Sequence, residues 1–284
     1  MCGNGIFVCP LCKAPLSREN NSLFCSGERK HTYDIASSGY VNLLPPGKKS
    51  NAKTGDDKEM LRCRRRFLSG GYYDRISSGL ARAALDCLSE RESIIFADAG
   101  CGDGYHALNI LSFFERENIK SRGIGFDASK HGADYAARLS KKGRSDAFFA
   151  AANIFDMPVS DKSLDIIFSM FAPVPDSEAN RVLRDDGVLA VCSSGERHLW
   201  EMREVLYGEP RVSPPLDRTP EGFQKVSHSS LCYTFELKDK EDIGALFTMT
   251  PFYYRCPKEG RERLNSIECL SVTASVEYNI YKKK

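Results

Sequence analysis

The chain of 284 residues has no run approaching the ~18 consecutive apolar residues that a membrane-crossing helix needs. Its opening, MCGNGIFVCPLCK, lacks a basic stretch followed by an apolar segment, so no secretory signal is expected. Internal repeats and long low-complexity tracts are also missing, which argues against a repeat array. Net charge is only +2, too little to imply a polyanion partner by itself.

The charge distribution is more informative than the total. Residues 1–75 hold 13 basic and 7 acidic side chains, and the remainder holds 27 and 31. A basic N-terminal part on a mildly acidic body is the asymmetry of an appended nucleic-acid-binding module. Small exposed modules are also often basic for solubility, so charge alone does not decide. Length and a 42% hydrophobic content suit one large domain with a small appendage. Of eleven cysteines, Cys2, Cys9, Cys12 and Cys25 crowd the start and the rest are scattered singly. That distribution fits reduced thiols in a cytoplasmic protein, with metal binding for the clustered set.

Three stretches can be separated. Residues 1–43 are dense in Cys, Gly and turn formers, with short β-like runs (SLFC, YVNLL), and read as a zinc-binding ribbon without a core of its own. Residues 44–75 read as a polar linker and a basic helix, EMLRCRRRFLSGGYY, ended by Gly70-Gly71. Residues 76–284 alternate strands and helices: SIIFAD, HALNILSFFER, RGIGFD, ADYAARLSK, DAFFAAAN, LDIIFSMF, GVLAVCSS. That order predicts an α/β domain with a mostly parallel sheet. Towards the end, CYTFEL and CLSVTASVEYNIYK look like strands and EDIGALFTM like a helix.

The chemistry concentrates in two motifs. Asp98-Ala-Gly100-Cys-Gly102-Asp-Gly104 sits between a strand and a helix, at a first βα turn, where open parallel sheets bind nucleotides. Asp127 ends the next strand, where a carboxylate can accept both ribose hydroxyls. The pattern resembles the Rossmann-like class I methyltransferase signature. That resemblance implies S-adenosylmethionine as cofactor, with Gly100, Gly102 and Gly104 beside its methionine part and Asp127 at its ribose. It also implies Asn153 and Ile154 at the adenine. Tyr105 and His106, next after the turn, join the cofactor candidates, although His106 also suits a packing role. A nicotinamide dehydrogenase would satisfy the loose glycine fingerprint, but Asp98 would then face a doubly charged pyrophosphate, whereas a carboxylate there suits the cationic amino group of S-adenosylmethionine, which makes Asp98 a cofactor-binding candidate. In the second motif, the knuckle Cys9-Pro-Leu-Cys12 is followed by Cys25 and His31, a set that can close a tetrahedral zinc site. Cys2 lies outside the knuckle, and a redox pair would be expected within a βαβ pattern, which is lacking here.

Pieces along nearly the whole chain resemble the 23S ribosomal RNA (guanine-N1-)methyltransferases: CPLC…LSRENNSLFC…HTYDIASSGYVNLL, GDDKEMLRCRRRFLSGGYY, DAGCGDGYH, Phe171-Ala172-Pro173, Gly195-Glu196-Arg197-His198-Leu199 and Met249-Thr250-Pro251-Phe252. The resemblance implies a cytoplasmic homodimer that methylates ring nitrogen one of a guanine in a 23S rRNA hairpin, with residues 1–43 as its RNA-recognition module; no membrane partner is expected, for want of a long apolar run. Two absences agree with a ring-nitrogen acceptor. SMFAPVP, Ser169–Pro175, lacks the Asn/Asp-Pro-Pro-aromatic motif of exocyclic-amine methyltransferases, and no Pro-Cys nucleophile is present. The sequence assigns no general base. Candidate RNA contacts are Lys48, Lys49, Lys53, Arg62, Arg64, Arg65, Arg66 and Arg197. Four arginines within five helical positions cannot share one face. Tyr72 and Tyr73 are pocket candidates by their family-like segment; His198 and Trp200 suit core or pocket equally. The competing readings are a small-molecule methyltransferase, which leaves the zinc module without a purpose, and a non-catalytic zinc-ribbon RNA-binding protein, against which the complete Asp98, glycine and Asp127 set speaks.

Overall fold

A computed structural model describes residues 5–45, 58–212 and 218–284. The main sheet has eight strands in the order β10-β11-β9-β8-β5-β6-β7-β4. Its centre is built from β5 (Ser93–Ala99), β6 (Lys120–Asp127), β7 (Ala147–Ala151), β8 (Leu164–Met170) and β9 (Leu183–Ser194), all parallel. All seven residues of β8 are buried, as expected of a strand covered on both faces, which is why LDIIFSM reads as an unbroken apolar run. At one edge β10 (Phe223–Leu237) and β11 (Leu270–Lys283) form a long antiparallel hairpin. This is the class I methyltransferase arrangement that the glycine turn foretells.

Side chains alternate across the sheet with period two and divide the core in two. Phe96, Ile166, Phe168 and Ala190 point to one face. There they meet α2 (Asp74–Asp86), α3 (Tyr105–Arg116), α6 (Trp200–Tyr207) and α7 (Lys240–Thr248). Ala97, Ile124, Ile167 and Leu189 point to the other face. That second face is covered in part by α5 (Asp176–Val182) and in part by the N-terminal segment, through Phe7, Leu16 and Leu23.

The N-terminal segment carries a three-stranded antiparallel sheet of β1 (Leu16–Glu19), β2 (Ser22–Cys25) and β3 (Thr32–Asp34). It borrows its core from the large sheet. Phe7 bridges to Val159, and its ring lies 4.8 Å from that of Phe148. The chain then runs into β4 (Val41–Asn42), which pairs in parallel with Ala150 and Ala151 of β7. The YVNLL run thus contains a strand, as its residues suggest, and it joins the two parts: Val41 bridges Ile35 of the N-terminal segment as well as pairing with β7. No helix among the described residues is long and apolar enough to cross a membrane.

Candidate active site and metal centre

The glycine turn leaves β5 and enters α3 at the carboxyl edge of the parallel strands. Gly100 and Gly104 have φ of +85° and +81°, in the left-handed region that favours glycine. A Cβ at Gly100 would meet Ala172 Cβ at 2.7 Å, and one at Gly104 would meet Ala136 Cβ at 2.5 Å. The turn is therefore pressed against α4 (Lys130–Gly143) on one side and the segment after β8 on the other. Gly104→Ala should cost about 2–3 kcal/mol in stability from strain and clash together. Urea unfolding checks this, and an unchanged midpoint would contradict the packing described. Asp127 fixes the turn from β6: Oδ2 accepts the Gly102 N–H at 2.8 Å and Oδ1 the Ser129 N–H at 2.7 Å. Each oxygen keeps further acceptor capacity for a hydroxyl.

Asp98 is 1% exposed, and its Oδ2 has no hydrogen-bond partner among the described residues. Burial pushes its carboxyl up to about 7 against the pull of Arg64, with Asp127 and Asp103 adding to the rise. Asp103 is buried as well, and its Oδ1 lies 3.6 Å from Arg64 Nε. The Tyr105 hydroxyl and the Asn109 amide both donate to Asp74 of α2, at 2.6 and 2.8 Å. His106 turns into the core, where its Nδ1 lies 2.8 Å from Ser77 Oγ, and burial lowers it to about 3. This is the packing role its position allowed. After β7, half-buried Asn153 takes the Phe155 N–H on its Oδ1 at 3.1 Å, and Ile154 packs beside it against the second core.

The end of β8 adds groups that the sequence marks only faintly. Phe171 has φ of +52° and is 39% exposed, an uncommon backbone for a bulky residue. Its ring centroid lies 5.6 Å from His198, 6.1 Å from Tyr73 and 6.2 Å from His106. His198 Nδ1 accepts the Ser275 N–H at 3.2 Å, so Nε2 carries the proton and donates to Tyr73 Oη at 3.1 Å. Burial holds His198 down at about 4, so the ring is neutral. Tyr72 faces elsewhere, donating to Asp242.

The arginines of α1 (Lys58–Ser69) diverge, as four within five positions must. Arg62 pairs with Glu59 at 2.6 Å, Arg65 lies 3.4 Å above the Tyr135 ring, and Arg66 pairs with Asp242 at 2.7 Å. Arg64 points inward at the glycine turn. The sequence marks this only in part: Leu61 and Leu68, both buried, stand three or four residues from Arg64 and from Arg65 alike, so spacing does not choose between them. Arg197 is exposed and lies 4.8 Å over the Trp200 ring. Lys48, Lys49 and Lys53 fall outside the described residues, as does Cys2.

The second centre holds Cys9, Cys12, Cys25 and His31, whose donor atoms all lie within 4.8 Å of one another. Cys9 Sγ is 3.4 Å from His31 Nδ1, Cys12 Sγ is 3.3 Å from Cys25 Sγ and 3.7 Å from His31 Nδ1. Metal–ligand bonds of 2.0–2.3 Å in a tetrahedron place donors about 3.5–3.8 Å apart, so the set fits zinc. Cys9 is opposed by burial, yet hydrogen bonds from Tyr33 and from the backbone of Cys12 and Leu11 hold its thiol down at about 6. The Tyr33 hydroxyl at 3.1 Å and the Gly27 N–H on Cys25 at 3.3 Å supply the outer hydrogen bonds such sites use.

Comparison with known proteins agrees with both centres. Residues 7–52 match the family described as "RlmA, N-terminal", a zinc ribbon, and residues 91–228 match "Methyltransferase domain". YxjB of Bacillus subtilis (strain 168), assigned as a 23S rRNA (guanine-N(1)-)-methyltransferase, is 31% identical over 98% of this chain and 97% of its own. The chain belongs to the 23S rRNA (guanine-N1-)methyltransferase family. Another relative, the 23S rRNA (guanine(748)-N(1))-methyltransferase of Streptomyces fradiae, is 30% identical over 96% of this chain and 95% of its own. The malonyl-[acyl-carrier protein] O-methyltransferase of Dechloromonas aromatica (strain RCB) matches only 38% of this chain, at 30% identity. A small-molecule methyltransferase thus accounts for far less of the sequence than the rRNA family does. Membership brings both cofactors, S-adenosylmethionine for the methyltransferase domain and zinc for the ribbon.

Proposed function

We propose that the protein methylates ring nitrogen one of a guanine in a 23S rRNA hairpin, acting as a cytoplasmic homodimer. The observation that carries the proposal is the junction of β4 with β7. It ties the Cys/His ribbon to the sheet whose carboxyl edge bears the glycine turn, so the ribbon and the methyl-transfer site share one sheet. Dimerisation and cellular location rest on the family resemblance.

The groups at the turn suit the cofactor. Asp98 offers a buried carboxylate oxygen in need of a cation, Gly100 and Gly104 keep the loop flat, and Asp127, Asn153 and Ile154 line the nucleoside end. Bound S-adenosylmethionine supplies a methyl group on a positive sulfur, already activated for transfer. The chain must align the acceptor with it and exclude competing water. Phe171 offers an exposed aromatic ring beside the turn, on which a purine can stack. With its oxygen accepting from His198, Tyr73 keeps its own O–H proton for an acceptor such as a base carbonyl. Transfer to ring nitrogen one would also release the proton that this atom carries at neutral pH.

Phe171→Ala should raise KM for RNA about 10-fold while leaving cofactor affinity within twofold, and Phe171→Trp should retain stacking. Steady-state kinetics with transcribed hairpins tests this; loss of cofactor affinity alone would displace Phe171 from the acceptor side. The function as a whole is tested by transferring labelled methyl to unmodified 23S rRNA and analysing the nucleosides. Label in 1-methylguanosine is expected, and label in any other nucleoside would overturn the assignment.

A further inference from the structure

Arg64 is the inward-facing cation of a helix whose other arginines turn away from the site. Its guanidinium lies 3.5 Å from where a Gly102 Cβ would stand, packed directly against the glycine turn. Asp103 holds its Nε at 3.6 Å. Neighbouring contacts fix the helix that carries it: Arg66 to Asp242 and Asp239 of the α7 N-terminus, and Arg65 on the Tyr135 ring of α4. Across the same turn stands Asp98, with its buried oxygen lacking a hydrogen-bond donor among the described residues. A carboxylate and a guanidinium at one glycine-rich turn match one kind of ligand end, an α-amino acid zwitterion.

We propose that Arg64 binds the carboxylate of the cofactor's methionine end while Asp98 binds its ammonium group, so that the two together recognise the zwitterion. The assignment rests on the S-adenosylmethionine reading of the site and names the residue that reads one end of that ligand. A planar guanidinium is suited to the task because it can meet both carboxylate oxygens at once. It also gives Arg64 a role distinct from the RNA contacts first expected of the α1 arginines. The pocket is matched in overall sign too. Among the described residues, Asp98, Asp103 and Asp127 neighbour the Arg64 guanidinium, and the intact cofactor carries one net positive charge.

Two ligands separate this from a general effect on the site. S-Adenosylhomocysteine has the amino acid end; 5′-methylthioadenosine has the same nucleoside and thioether without it. By calorimetry on the full chain, Arg64→Met should weaken S-adenosylhomocysteine about 10- to 100-fold and leave 5′-methylthioadenosine within about twofold. Arg64→Lys, keeping the charge but not the fork, should fall between wild type and Arg64→Met for the first ligand only. Unchanged S-adenosylhomocysteine affinity in Arg64→Met would overturn the proposal, as would equal losses for both ligands in both variants. Failure of the wild-type chain to bind either ligand would instead overturn the cofactor reading itself, and the proposal with it.

Discussion

Asp98→Asn should make the ligand-free protein more stable at pH 8 while removing its affinity for cofactor. The carboxyl is held up at about 7 in the folded chain by burial, whereas in the unfolded chain it ionises near 3.9. Between those two values the unfolded state has released a proton that the folded state still holds. Ionisation therefore favours unfolding. The penalty is absent below about pH 4, grows as pH rises, and is complete above 7, where it reaches at most about 4 kcal/mol. An amide of the same shape escapes it. The melting temperature of Asp98→Asn should exceed wild type by roughly 5–10 °C at pH 8 and converge with it near pH 4. At pH 8 the same variant should bind S-adenosylhomocysteine at least about 100-fold more weakly, having lost the partner of the ammonium group. Wild-type affinity should itself decline as pH falls below 7, because the empty site then holds a proton that the ligand must displace. Equal melting temperatures at pH 8 would mean that Asp98 is not the destabilised group its surroundings suggest.

Zinc removal should be felt beyond the ribbon. Cys9→Ser, or treatment with a strong chelator, opens the closure that holds residues 9–31 together, and the ribbon has little core of its own. Phe7, Leu16 and Leu23 then lose their fixed positions on the sheet face around Val159 and Phe148. The melting temperature should fall by about 10 °C. RNA methylation should be lost, and cofactor affinity should weaken only several-fold, because the glycine turn follows β5 while the ribbon's pairing and ion pair fall on β7 and the segment after it. Hydrogen exchange should quicken at residues 147–154 more than at 93–104. A metal-free protein with full RNA activity would remove the ribbon from substrate binding.

The elements that could be read from the sequence are those with a local signature. The strands SIIFAD, RGIGFD and LDIIFSMF are apolar enough to be buried on both faces, and the helices between them carry an apolar stripe of helical period. The glycine turn and the Cys/His set announce themselves because their chemistry demands particular residue types at fixed spacing. What escaped depends on distant partners. Val41 and Asn42 are too short a run to show which sheet they join, and their partners Ala150 and Ala151 lie far along the chain. The positive φ of Phe171 is imposed by its neighbours after β8, not by its own preference. That the α1 arginines must diverge was legible, but Leu61 and Leu68 stand at helical spacing from Arg64 and Arg65 alike, and an arginine run reads first as surface. The short helices α8 (Phe252–Arg255) and α9 (Lys258–Asn265), inside the β10–β11 connection, have too few turns to show a period.

The β4–β7 pairing also has a consequence in time. A nascent chain displays its zinc-binding segment while residues 147–151 have yet to be made. Metal closure is local and can occur at once, but Phe7, Leu16 and Leu23 remain uncovered until Val159 and the sheet face have emerged. Until β4 docks, β7 is a bare outer strand, the kind of backbone edge on which chains stack into aggregates. A ribbon pre-closed by metal delivers β4 to that edge as a single piece, whereas an open one must find it by diffusion of a loose tail. Scarcity of zinc during synthesis would thus show itself as insoluble protein before it showed itself as unmodified RNA.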